Sequence, residues 1–79
     1  MSSHSTVDTL VRMANQIGKF FGSQNTPDRA AGIVEHLHKF WDPRMRAGII
    51  AHVEHGGEGL DPIVLEAVKR LAEIPRKQA

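Results

Sequence analysis

The five histidines are the residues of this chain that most readily imply chemistry, since imidazole is both the commonest metal ligand and a proton carrier near neutral pH. His52 and His55 stand three residues apart, and His36 and His38 stand two apart. Two residues two apart on a helix point to different faces, and no Asp, Glu or Cys completes either pair at ligand spacing. The run His52-Val53-Glu54-His55 also lacks the zincin arrangement, in which Glu directly follows the first histidine and the second lies four residues on. Nucleophilic catalysis is no better served. The chain has no cysteine and no tyrosine, its serines lie near the N-terminus or at Ser23, and Ser23 has no evident base or oxyanion loop. Gly56, Gly57 and Gly59 share only composition with a phosphate loop, because the Gly-Lys-Ser/Thr ending is missing. The residues therefore point to packed or surface histidines, with no catalytic residues, no metal ligands and no cofactor-binding set in this chain.

A more informative segment runs from His36 to Arg46, His-Leu-His-Lys-Phe-Trp-Asp-Pro-Arg-Met-Arg. Asp42-Pro43 reads as a helix start, which puts Arg44 and Arg46 in the first turn, where the positive end of the helix dipole disfavours cations. Helix stability alone does not account for them. On a helical wheel Arg46 falls inside the apolar arc between Val53 and Ile50, whereas Arg44 falls on the polar side near His55. Two readings stand. In one, Arg46 lays its aliphatic stem on the core and pairs with a carboxylate of the same domain while Arg44 is solvated. In the other, Trp41, Arg44 and Arg46 form a cluster that binds a partner, since Trp and Arg are enriched at interface hot spots. A lone tryptophan in a small domain more often belongs to the core.

The elements that would position these residues are set by proline. Thr26-Pro27, Asp42-Pro43 and Asp61-Pro62 each read as an N-cap followed by the first helical residue, the cap oxygen accepting an early backbone N–H and proline sitting where no N–H is needed. Pro75 after Ile74 marks the end of the last helix. An earlier helix is expected from about Ser5 or Thr6, with Asp8 completing a short capping box, to Phe21. Its apolar residues Val7, Leu10, Val11, Ala14, Ile17 and Phe21, widened by Met13 and Phe20, cover an arc of roughly 180°, broader than the roughly 100° usual for a surface helix. The second helix should bury Ala30, Ile33, Val34, Leu37 and Trp41, with Glu35 and Lys39 paired across one turn outside. The third should bury Met45, Ile49, Ile50 and Val53 and stop at Gly56-Gly57. The fourth should bury Val64, Ala67, Val68 and Leu71, with Leu60 and Leu65 spaced as a hydrophobic staple. The short junction at Trp41-Asp42-Pro43 implies a corner between the second and third helices.

The expected fold is all-α: one domain over residues 1–79, a compact bundle or orthogonal array of four short helices, with flexible tails at about 1–4 and 75–79. Seventy-nine residues leave little room for an enclosed substrate pocket. Without cysteines, stability must come from helix packing or from a partner. Ten Lys and Arg against nine Asp and Glu give a net charge of +1, which argues against a nucleic-acid partner. No apolar run approaches the roughly 18 residues of a membrane span, and the Met-Ser-Ser-His-Ser start is not a secretory signal, so a cytoplasmic protein is expected.

Two segments, Met13-Ala14-Asn15-Gln16-Ile17-Gly18-Lys19-Phe20-Phe21 and His36 through Arg46, resemble the delta subunit family of cytoplasmic, NAD-dependent, molybdenum-containing formate dehydrogenases. The distinctive feature is Trp followed by Asp-Pro-Arg-Met-Arg, about twenty residues after a phenylalanine pair. The resemblance implies a non-catalytic accessory subunit of a complex that interconverts formate and carbon dioxide. Its expected partners are the catalytic alpha subunit, with a molybdenum bis-pterin cofactor and iron–sulfur clusters, and electron-transfer subunits that carry FMN and further clusters and use NAD. The implied role is support of assembly, stability or molybdenum-cofactor loading. Asn15, Gln16, Phe20, Trp41, Arg44, Met45 and Arg46 are the candidate partner-binding residues, and self-association of the isolated chain stays open. The competing reading is a small helical DNA-binding regulator, because a tight corner between two helices can be mistaken for a helix-turn-helix.

Overall fold

A computed structural model describes residues 2–74, with side chains from Thr6 onward. Met1 and residues 75–79 lie outside this range, and with them the stop assigned to Pro75 and the expected C-terminal tail. The described residues form four helices and no strand: α1 (Ser2–Gly22), α2 (Arg29–Phe40), α3 (Pro43–Glu54) and α4 (Pro62–Glu73). The all-α expectation holds.

Three of the expected helix starts are modified in detail. α1 begins at Ser2, so Ser5 lies within the helix and is not its cap; no Pro interrupts residues 2–21, and the one Gly among them, Gly18, is accommodated within the helix. α2 is capped by Asp28 and not by Thr26: the Asp28 carboxylate accepts the Ala31 N–H at 3.3 Å, and Pro27 stays in the preceding turn. At α3 the expected cap forms, with Asp42 accepting the Met45 N–H at 2.8 Å. Asp61 occupies the N-cap position of α4 but makes no side-chain cap bond. Its backbone N–H donates to Asn15 Oδ1 at 3.0 Å and its carboxylate lies 3.7 Å from the Lys19 ammonium.

α1 packs against all three other helices, which explains its wide apolar arc: a stripe of ordinary width could face only one or two neighbours. Leu10 and Ala14 are buried, and Val11, Met13, Ile17 and Phe21 pack against the core from its margins. At Gly18 the backbone of α1 meets Val64 of α4 so closely that a Cβ would overlap the Val64 methyl. The largest helix contact is between α2 and α4, burying Ile33 and Leu37 with Val64 and Val68. α2 and α3, although consecutive, touch least, as a corner requires. α3 buries only Ile49 completely, while Met45, Ile50 and Val53 are half-buried.

The turn after α3 needs glycine. Gly56 and Gly57 adopt φ of 114° and 66°, and a Cβ on Gly57 would also collide with Leu65. Leu65 thus covers Gly57, and Leu60 packs on the core. The same loop is tied down by His52 Nε2, which donates to Glu58 O at 2.8 Å, and by Asn15 Nδ2, which donates to Gly59 O at 2.9 Å. His55 Nδ1 donates to Ala51 O, so the two histidines serve separate carbonyls.

A candidate interaction groove

Beyond Leu10 and Ala14, the residues Met13, Ile17, Phe20 and Phe21 carry the apolar arc of α1 past the core and toward the corner between α2 and α3. There, His36 and Phe40 from the last turns of α2, Trp41 from the corner and Met45 from the first turn of α3 complete a groove of about 500 Å³, with Gln16 on its α1 side. Among the described residues, no Lys, Arg, Asp or Glu lines it. Phe20 is 60% exposed and Phe40 71%, large apolar areas for water to cover. Between them runs an aromatic chain. Phe20 meets Phe21 edge-on at 5.0 Å between centroids, Phe21 meets His36 at 6.1 Å, and His36 meets Phe40 at 4.8 Å.

Trp41 forms the floor and is buried. It is the C-cap of α2 with extended backbone (φ −85°, ψ 139°), and this turn swings its indole inward while Phe40, the last helical residue, stays out. Arg46 anchors the turn from α3. Its Nη1 donates to His38 O at 3.2 Å and also to Trp41 O, two carbonyls that the end of α2 leaves without intrahelical partners. The arginine that is electrostatically misplaced at the N-terminus of α3 is thus well placed at the C-terminus of α2, where the helix dipole favours a cation. Arg44 is exposed beside Met45 and borders a shallow adjoining depression with Asp42 and Pro43. It makes no ion pair or hydrogen bond among the described residues.

The fold therefore gathers Gln16, Phe20, Trp41 and Met45 around one groove, while Arg44, next to Met45 in the chain, lines a separate depression with Asp42 and Pro43. Arg46 is engaged behind the floor, and Asn15 is committed to the α3–α4 loop through both ends of its amide. Met13, Ile17, Phe21, His36 and Phe40 also line the groove without being among the expected contact residues, and Phe40 is the most exposed of them. It lies seven residues after Ile33 and three after Leu37, which reads as inward-facing. The usable signal is the adjacent pair Phe40-Trp41 directly before a helix cap, since a corner this tight has room to bury one ring.

On the far side of α2, Arg70 of α4 reaches both oxygens of Asp28 at 3.1 and 3.0 Å and also bonds Glu66. The hydrogen bond from Arg70 is the main reason that the Asp28 carboxyl is held below its usual pKa, and Arg70 is correspondingly raised. Among the described residues no group of three or more His, Cys, Asp or Glu is placed to hold a metal ion, and no helix is long and apolar enough to cross a membrane.

A sequence profile of the NADH-dependent formate dehydrogenase delta subunit FdsD matches residues 9–68, a span that contains every residue of the groove. The chain belongs to the formate dehydrogenase delta subunit family. The resemblance carried by residues 13–21 and 36–46 is thereby established over most of the chain. No curated protein and no solved structure matches it. Within this delta-subunit chain, the segment His36–Arg46 builds the corner, the groove floor and the arginine clamp.

Proposed function

We propose that this chain is a non-catalytic accessory subunit of a cytoplasmic formate dehydrogenase complex, and that it binds the catalytic subunit through the groove between α1 and the α2–α3 corner. The observation that carries this reading is the exposure of Phe20 and Phe40 on either side of a groove with no charged lining among the described residues, in a delta-subunit family member. Formate oxidation, with the molybdenum cofactor, clusters and flavin that serve it, is assigned to the other subunits. The work of this chain is to stabilise the assembled complex, with cofactor loading as the more specific form that role can take. The DNA-binding alternative is less favoured. Of the basic residues in the first turn of α3, Arg46 is occupied by carbonyls of α2 and only Arg44 remains, so the described residues of this helix start offer no basic stripe to follow phosphates.

The test is to produce the complex with and without this chain, and to measure the yield of assembled complex, its molybdenum content and its formate oxidation per molybdenum. Omission should lower the yield, or the molybdenum content if loading is the role, and leave turnover per molybdenum unchanged. Unchanged yield and loading with a fall in turnover would make the chain part of the catalytic machinery and overturn the proposal. The purified chain should oxidise no formate.

A further inference from the structure

The groove has chemistry of its own that narrows what can fill it. A cavity on the order of 150 Å³ holds one benzene-sized group, so about 500 Å³ accommodates roughly three large apolar side chains. A small-molecule site would be expected to converge several polar groups on its ligand, yet apart from Gln16, His36 and the Trp41 indole N–H the described lining side chains are apolar. Three apolar anchors at i, i+3 or i+4, and i+7 are what one face of an amphipathic helix presents.

Beside Met45 in the chain, outside the lining itself, Arg44 adds a charge. Glu35 is paired with Lys39 at 3.3 Å and Asp42 Oδ1 accepts the Met45 N–H, whereas the Arg44 guanidinium has no partner among the described residues. Arg44 also stands in the first turn of α3, so a carboxylate arriving there meets both the guanidinium and the positive end of the helix. A second copy of this chain fits poorly. A twofold groove-to-groove contact would bring the same unpaired cation up from both sides.

Resting on the accessory-subunit reading above, we infer that the groove receives an amphipathic helix of another subunit of the complex, which inserts about three apolar side chains between Phe20 and Phe40 and carries an Asp or Glu that pairs with Arg44. Phe40 is exposed enough to be replaced by the photoreactive analogue benzoylphenylalanine without disturbing the core, and Lys69 on the exposed side of α4 provides a control position. Each substituted chain is co-produced with the complex, irradiated, and its cross-linked peptide sequenced. Position 40 should cross-link to a segment of another subunit with apolar residues at helical spacing and a carboxylate beside them. Arg44→Glu should weaken co-purification by about tenfold, and changing that carboxylate to Lys should restore it.

Failure of the unsubstituted chain to co-purify would defeat the accessory-subunit reading itself. Co-purification with cross-links from position 69 alone, with cross-links between two copies of this chain, or with no effect of Arg44→Glu would leave that reading standing and overturn the inference.

Discussion

Arg46, in the first turn of α3, donates from its guanidinium to the backbone carbonyl of Trp41, the residue that caps the C-terminus of α2. A second bond from the same nitrogen reaches His38 O, so one side chain satisfies two terminal carbonyls and locks the corner that forms the groove floor. Arg44, two residues earlier, makes no such contact among the described residues. The two arginines should therefore separate cleanly by experiment.

Replacing Arg46 by Ala should cost about 1–2 kcal/mol, the range for charge-assisted hydrogen bonds discounted for partial exposure. Replacing Arg44 by Ala should change stability by less than about 0.5 kcal/mol while weakening association with the complex. Urea unfolding followed by Trp41 fluorescence measures the first pair of values. An Arg46→Ala variant as stable as the parent would show that the clamp contributes nothing.

Gly18→Ala tests the contact of α1 with α4. The added methyl would overlap a side chain of Val64, which is buried and β-branched and so has little freedom to move. Overpacking of this kind typically costs about 1–3 kcal/mol, outweighing the gain of up to about 1 kcal/mol from better helix propensity. Gly22→Ala, where nothing lies within 4 Å, should be neutral or slightly stabilising. Thermal melts of the two variants should move in opposite directions or, for Gly22, not at all.

Asn15 joins α1 to the loop before α4 by donating to Gly59 O and accepting from Asp61 N–H. Asn15→Ala should lose about 1–3 kcal/mol. Asn15→Asp should be no better, since it keeps the acceptor but sets a carboxylate against the Gly59 carbonyl and beside Asp61. Amide hydrogen exchange should show faster opening of residues 56–61 in both variants. Protection equal to that of the parent would rule the latch out.

The Asp28–Arg70 pair gives a pH dependence of known sign. The Asp28 pKa is lowered on folding from 3.8, chiefly by the Arg70 hydrogen bond, so the pair stabilises the fold above about pH 3.8 and the contribution is lost as pH falls through the lower folded value. Asn at position 28 keeps a capping oxygen but not the charge. The parent should be slightly more stable than Asp28→Asn at pH 7, with the difference shrinking below pH 3.8 and in high salt. A difference that persists at pH 2 would exclude the ion pair as its source.

Much of this architecture is local and was legible in the chain itself. Asp42-Pro43 and Asp61-Pro62 mark where α3 and α4 begin, Gly56-Gly57 marks where α3 stops, and helical spacing identifies Ile33, Leu37, Ile49, Val64 and Val68 as core. These features depend on residues within one or two helical turns of each other, and backbone geometry links them whatever the rest of the chain does. Tertiary structure decided what local rules leave degenerate. Thr26 and Asp28 can each cap α2, and the closeness of Arg70, forty-two residues away, accompanies the choice of Asp28. Asp61 gives up its capping bond where Asn15 and Lys19 of α1 meet it. Helical spacing placed Trp41 inward, but that the neighbouring Phe40 stands out in the groove follows only from the direction of the corner. The purpose of Arg46 was hidden for the same reason: its first-turn position is unfavourable in α3 considered alone and becomes favourable only once the end of α2 is folded against it.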